Sequence, residues 1–485
     1  MTAKGDLNLH EMTPFEWTMT SRVSKSPMEF IVMLQCFGSV DCAKFNQALL
    51  LEIKRHPLLR ANAEIGPNHR QSFWRISSES APQINWFETE YSPEQGFPAG
   101  FEPIDLRNEI GLRFYGWRCK SDLGSSVVMK FVFHHACCDG KAGLDFAEQT
   151  LIKYGSLCAG CDEGTDAKIA IEHSQDTISD RNTRAGRKLN VANRLFRSIV
   201  VRPKRVIKFL FQRPVLLNCQ AVDCSKVDLE KLYDSPPLQC TFTFDERTTK
   251  SLGEFSKSRN STTNLVLARE LFHTLNERED DAGDSGVSEG SSRRGRFRLM
   301  IPYSLREDRR HQVQVANCVS IVYLEATQRS IAQDSLSDPV LLNDLGRQMF
   351  YIRRWQLQYS WIESIESYAR FWPLLKLLKK RKPSEDGQQS GLTIATAAMT
   401  NLGRAFKNQR WADNGGKIKV ASLEVETVHV AVPCTEKLNT NFSVNFYRDR
   451  LTLDIIYLPS LVSREAAQSI LDTWTQRISR LVELE

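Results

Sequence analysis

Two adjacent histidines stand just ahead of an acidic residue and a glycine in the stretch Phe131-Val-Phe-His134-His135-Ala-Cys-Cys-Asp139-Gly140. A neutral imidazole titrates near physiological pH, so it can take the proton of a hydroxyl or amine as that group attacks an electrophilic carbon. Such a base works only if its ring is held in one orientation. A carboxylate four positions on, in a tight turn, can tie the loop back, and a glycine after it permits backbone angles or a close approach that a side chain would forbid. A plainer reading is open as well: Asp139 only caps a helix, and both histidines are strand-end residues with satisfied hydrogen bonds. No carboxylate or cysteine falls at a spacing that completes a zinc site with His134 and His135, and neighbouring strand residues point to opposite faces, so no metal is expected. Cys137 and Cys138 lie close enough to suggest a Cys–His nucleophile, but general-base chemistry needs no nucleophile from the protein.

The elements that must position these residues are legible as periodicities. The run Ser126 to Phe133 is apolar and rich in β-formers, and Leu144, Ala147, Leu151 and Tyr154 repeat at helical spacing, so the motif links a strand to a helix. Upstream, Met12-Thr-Pro-Phe-Glu-Trp predicts a short helix, Glu29 to Gly38 a strand and Ala43 to Lys54 a helix; strand-like runs follow at Gln71–Ile76 and Leu112–Cys119. Downstream come a strand ending at Thr241-Phe-Thr-Phe-Asp-Glu, two helices, a strand at Phe297–Pro302 and another within Val315–Leu324. Helical periodicity then covers Leu341–Leu357 and Ile362–Leu378. A strand at Met399–Arg404, a hairpin of Phe442–Tyr447 with Leu451–Tyr457, and a closing helix Ser463–Leu484 complete the chain. Polar runs at 276–295 and 383–391 are loops.

The 485 residues suffice for two or three domains with full cores, and 41% hydrophobic with 25% charged residues is ordinary for a globular protein. No apolar run is long enough to span a bilayer, the opening residues lack the apolar core of a signal peptide, and twelve scattered cysteines have no framework spacing; these features predict a cytoplasmic protein with reduced thiols. Cys158-Ala-Gly-Cys161 has no second pair to complete a zinc ribbon. The net charge of +6 is uneven: Arg181 to Arg213 holds eleven Lys and Arg and no acid, leaving −5 on the rest. Around Pro203 this segment carries two amphipathic helical stretches. It suits peripheral contact with an anionic membrane or an acidic partner, or else packs on its own domain with its charges solvated. A second basic element ends in Lys376–Lys382. Nothing resembles a nucleic-acid motif, and aromatics are not interleaved with the basic residues, so no nucleic acid is expected.

Taken together, His-His-x-x-x-Asp-Gly at 134–140, Arg55-His56-Pro57-Leu-Leu-Arg60, Ser261-Thr-Thr-Asn-Leu-Val-Leu-Ala268, Pro302 to Arg306 followed by Ala316-Asn317, and Asn401-Leu-Gly403 resemble the spaced signatures of the chloramphenicol-acetyltransferase-like superfamily. That superfamily includes condensation domains, alcohol acetyltransferases, polyketide-associated acyltransferases and wax-ester synthases. The match spans nearly the whole chain in fragments, with Ala316 in place of a usual glycine and the plant-type Asp-Phe-Gly-Trp-Gly box absent.

The resemblance implies an α/β fold of two lobes, residues 1–230 carrying the motif and 231–485 following, each a mixed sheet with flanking helices and a tunnel at their interface. It implies His135 as general base, with His134, Asp139 and Gly140 completing the catalytic motif; Arg306 as the salt-bridge partner of Asp139; and Asn317, Asn401 and Gly403 along the tunnel. His56 belongs to a fold-marking motif. The implied donor is acyl-coenzyme A or a phosphopantetheinyl acyl carrier protein, the acceptor an alcohol or amine, with no cofactor permanently bound and the chain acting as a monomer. The competing expectation from another class is a binding or scaffolding protein on the same fold that has lost catalysis; an epimerisation- or cyclisation-type relative would bring neighbouring carrier and adenylation modules, which this chain has no room for.

Overall fold

The computed structural model describes residues 9–20, 27–67, 69–77, 80–89, 91, 102–121, 124–160, 214–215, 217, 236–283, 295–306, 315–365, 394–406, 416–435 and 438–483. The basic segment 181–213, Lys376–Lys382, Cys161, the polar run 383–391 and most of the run 276–295 lie outside the described residues, as does the latter part of the helical pattern at 362–378.

The first of two six-stranded sheets runs Lys419–Val420, Leu423–Ala431, Glu29–Gly38, Gly124–His134, Leu112–Ser121, Gln83–Phe87. The second runs Val319–Thr327, Arg296–Ser304, Ala397–Arg404, Thr440–Tyr447, Arg450–Tyr457, Leu238–Thr243. Both mix parallel and antiparallel pairing. A small sheet of Leu9–Glu11, Phe73–Ile76 and Ala61–Glu64 accompanies the first. The first sheet is not drawn from the first half alone: Leu423–Ala431 pairs antiparallel with Glu29–Gly38, setting His429 opposite Met33.

The motif strand Gly124–His134 is central, between Glu29–Gly38 and Leu112–Ser121, so both its faces are covered and apolar residues occupy both. On one face Phe131 and Phe133 meet Phe146 of the helix Gly140–Cys158, the Phe133 and Phe146 rings standing edge to face at 5.7 Å. Burying each such ring stabilises the fold by about 1.5–3 kcal/mol. The helix starts where it does because Asp139 has extended backbone and its side chain accepts the Ala142 N–H. The helix Pro14–Thr20 begins with a reciprocal cap, the Thr13 hydroxyl on the Glu16 N–H and the Glu16 carboxylate on the Thr13 N–H.

In the second lobe the hairpin Thr440–Tyr447/Arg450–Tyr457 turns through Arg448 and Asp449, both at positive φ as a two-residue turn of this twist demands. Its Phe442 packs edge to face on Trp474 of the closing helix Arg464–Glu483 at 5.4 Å. Among the described residues no helix is long and apolar enough to cross a membrane.

Candidate active site

His134 ends its strand, its N–H donating to the Gly111 carbonyl at 3.0 Å, and His135 enters the turn with its own N–H on the Met28 carbonyl at 2.8 Å. The His135 ring stands edge-on to Phe30, centroids 5.4 Å apart. The His135 carbonyl accepts the Asn317 side-chain amide at 2.7 Å; the same amide nitrogen lies 3.2 Å from His135 Nδ1. Asn317 Oδ1 accepts the Val319 N–H at 3.3 Å, which fixes which end of the amide faces the histidine. Burial holds the ring's pKa below the ordinary histidine value; its own carbonyl and the charge of Asp139 oppose that only in part. The imidazole is therefore neutral at neutral pH.

His134 differs. It is buried, its Nδ1 accepts the Ala136 N–H at 3.2 Å, and burial, with the adjacent His135, pushes its pKa down to about 3. It braces the turn, whose closing bond runs from the Cys137 N–H to the His134 carbonyl at 2.9 Å.

Asp139 both caps the helix and joins the lobes. Oδ1 takes the Ala142 N–H at 2.9 Å, while Oδ2 takes Arg306 Nη2 at 2.7 Å and the Cys318 N–H at 2.9 Å. Both side chains are nearly inaccessible to water. Burial alone would raise the Asp139 pKa, but the Arg306 charge and the two backbone donors outweigh it and hold the carboxyl below its usual range. Burial likewise works against the Arg306 charge, and Asp139 more than restores it. The guanidinium does not make two parallel bonds to the carboxylate: Nη2 divides between Asp139 and the Ala316 carbonyl, also at 2.7 Å. Ala316 is not at positive φ, so the position needs no glycine here.

Asn401 and Gly403 approach from the second sheet. The strand Ala397–Arg404 shifts register between them, so Leu402 bulges out. A Cβ on Gly140 would lie 2.8 Å from Leu402 Cδ2, so the glycine, whose φ is not left-handed, lets the Leu402 side chain pack against the turn. The Asn401 side chain donates to Asn264 at 3.3 Å and accepts the Gly403 N–H at 2.8 Å. His56 is buried, with Nε2 2.9 Å from Glu52 and its ring edge-on to Phe146 at 5.6 Å.

The structure thus gathers His134, His135, Asp139, Gly140, Arg306 and Asn317 at one junction, with Leu402 beside them. The backbone groups of Met28, Ala316 and Cys318 also hold the site, and a carbonyl or N–H leaves no side-chain signal in sequence. Phe30, behind the imidazole, read only as one more apolar strand residue.

Comparison with solved structures places the fold. The trichothecene 15-O-acetyltransferase TRI3 from Fusarium sporotrichioides superimposes with a TM-score of 0.68 at 14% identity, over 99% of this chain and 97% of that one. The starter condensation domain of rhizomide synthetase RzmA, in complex with C8-CoA, gives 0.62 at 13% identity over 98% and 95%. The condensation domain of the Monacolin K polyketide synthase MokA gives 0.59 at 12% identity over 98% and 97%. No protein-family model and no curated protein matched the sequence.

Proposed function

Starting from a chain with the two-lobed condensation-domain fold, we propose that it is an acyltransferase moving an acyl group from a thioester, acyl-coenzyme A or an acyl carrier protein, to an alcohol or amine, with His135 as general base. The observation that carries this reading is the His135 imidazole, held neutral by burial and set between the Asn317 amide and the Phe30 ring. In the proposed step the neutral His135 imidazole takes the proton from the acceptor, whose oxygen or nitrogen attacks the thioester carbonyl. The tetrahedral oxyanion then collapses, the carbon–sulfur bond breaks, and the departing thiolate takes the proton back from His135. Holding both substrates at the lobe junction turns a bimolecular encounter into an effectively intramolecular one. The fold neighbours include an O-acetyltransferase and a condensation domain in complex with C8-CoA, which supports an acyl-coenzyme A donor.

The test is release of free thiol from acyl-coenzyme A by the purified protein with a panel of alcohols and amines. No thiol release with any acceptor would favour a scaffolding protein on this fold. The pH profile is a further prediction. A base whose pKa is lowered works while neutral, so kcat/KM should stay level as pH falls to 6.5 and decline only below it, as His135 protonates. An acid limb centred above 6.5 would assign the base elsewhere.

Recruitment of the donor is expected to involve the basic segment 181–213. Neutralising Arg194, Arg197, Lys204 and Lys208 together should raise KM for a carrier-bound donor, or weaken binding to anionic liposomes, more strongly at low salt, with turnover unchanged. Unchanged binding and salt dependence would return the segment to a solvated face.

A further inference from the structure

The backbone of the two histidines is held from two sides. His134 donates its N–H to the Gly111 carbonyl at 3.0 Å, and His135 donates its own to the Met28 carbonyl at 2.8 Å. Gly111 ends the stretch 102–111 and is pressed against the turn, since a Cβ there would lie 2.5 Å from Cys137 Sγ. That stretch is itself anchored. Ile104 and Leu106 are fully buried, and the Leu106 carbonyl accepts the Ala63 N–H at 2.7 Å. Arg113 reaches back over it, from Glu109 at 2.8 Å to the Glu102 carbonyl at 2.7 Å.

Glu29 joins this anchored stretch to the Met28 side of the turn. It begins the strand Glu29–Gly38, next to Met28 and directly opposite His134. Its Oε1 accepts the Ile104 N–H at 2.7 Å. Phe30, Ile31 and Val32 follow it, and Glu29 is as buried as they are; a glutamate is seldom so fully buried unless a partner holds it. Burial pushes its pKa up to about 7, and the Ile104 N–H and the charge of Arg113 oppose that only in part. Below that pH the carboxyl is mostly uncharged, so toward Ile104 it serves as a neutral acceptor.

We propose that Glu29 is a positioning residue for His135: by holding the Ile104 N–H it fixes the Met28 carbonyl to the stretch that also holds His134, and so sets where the imidazole stands against the acceptor. The inference rests on the acyltransferase reading above and adds a residue to it. Without the carboxyl, the buried Ile104 N–H loses its acceptor, and an unmade buried donor drives the backbone to shift toward another. The Met28–Glu29 segment is the part then free to shift, and the His135 N–H is bonded to it.

The experiment uses the full chain with acetyl-coenzyme A and its best acceptor at pH 6.5, reading free thiol. Glu29→Met keeps an unbranched side chain of similar length but cannot accept the Ile104 N–H. It should lower kcat by roughly 10- to 100-fold, the scale on which displacing a reacting group by about 1 Å acts, with KM for acetyl-coenzyme A unchanged. Glu29→Gln keeps a neutral oxygen at the same reach and should restore kcat. Should the methionine variant not fold, Glu29→Asp carries the same comparison, its carboxyl being one methylene short of Ile104. A folded methionine or aspartate variant with wild-type kcat, a loss confined to KM, or a glutamine variant as slow as the methionine one would overturn the inference and leave the acyltransferase reading standing. A wild-type protein that releases no thiol with any acceptor would overturn both.

Discussion

Replacing His135 with alanine should lower acyl transfer by roughly 10²–10⁴-fold, the contribution of a positioned general base. The protein should stay folded, because the turn is held by bonds that alanine keeps: the residue-135 N–H on Met28 and the residue-135 carbonyl under the Asn317 amide. Circular dichroism and an unchanged melting temperature would verify the fold, and thiol release the rate. His134→Ala should behave differently. It removes the acceptor for the Ala136 N–H and opens space in a buried position, so it should lower stability and reduce the rate only as far as the turn loosens. If His134→Ala abolished turnover in a folded protein while His135→Ala did not, the two roles would have to be exchanged.

The second large effect is expected at the lobe junction. Breaking a buried ion pair by removing one partner costs about 3–5 kcal/mol, so Asp139→Ala and Arg306→Ala should each lose both stability and activity. The two are not equivalent. After Arg306→Ala the carboxylate keeps the Ala142 and Cys318 N–H groups; after Asp139→Ala the guanidinium keeps the Ala316 carbonyl, and the helix also loses a cap worth about 0.5–2 kcal/mol. Asp139→Ala should therefore be the more damaging. The double variant should lose less than the sum of the single losses, because the second change removes a charge already orphaned. Urea unfolding of the four proteins measures the coupling, and additive losses would deny that the pair acts as a unit. The acid limit has a definite sign. Because the folded-state pKa of Asp139 is depressed, its contribution is fully present above the ordinary carboxyl value of 3.8 and is lost as pH falls through the lower folded value. His134 acts in the same direction over a higher window: it stays neutral in the fold while the unfolded histidine protonates, so stability falls from about pH 6.5 toward 3.

The local elements around the site could be read from the chain because their causes are local. Apolar runs and 3.6-residue periodicity give the strand Gly124–His134 and the helix Gly140–Cys158, and Glu29–Gly38 forms over the span its composition predicts. Asp139 as a helix cap follows from its place ahead of an amphipathic run. Its second bond, to Arg306, joins residues 167 positions apart and was suggested only by resemblance; no local pattern connects the two. The two readings of Asp139 turned out not to compete, since each takes a different carboxylate oxygen.

Where strands pair was not legible in the same way. Leu423–Ala431 passes unremarked among second-half residues, yet it completes the first sheet, because pairing is settled by which edge is free when the lobes come together. The Asn317 amide on the His135 carbonyl and the bulge that sets Leu402 on Gly140 are likewise invisible in residue types alone. Side-chain chemistry and spacing determined that a neutral base could stand at a strand end ahead of a capped helix. Only the tertiary structure decided its orientation and its surroundings, because those depend on backbone donors and acceptors brought together over more than a hundred residues of chain.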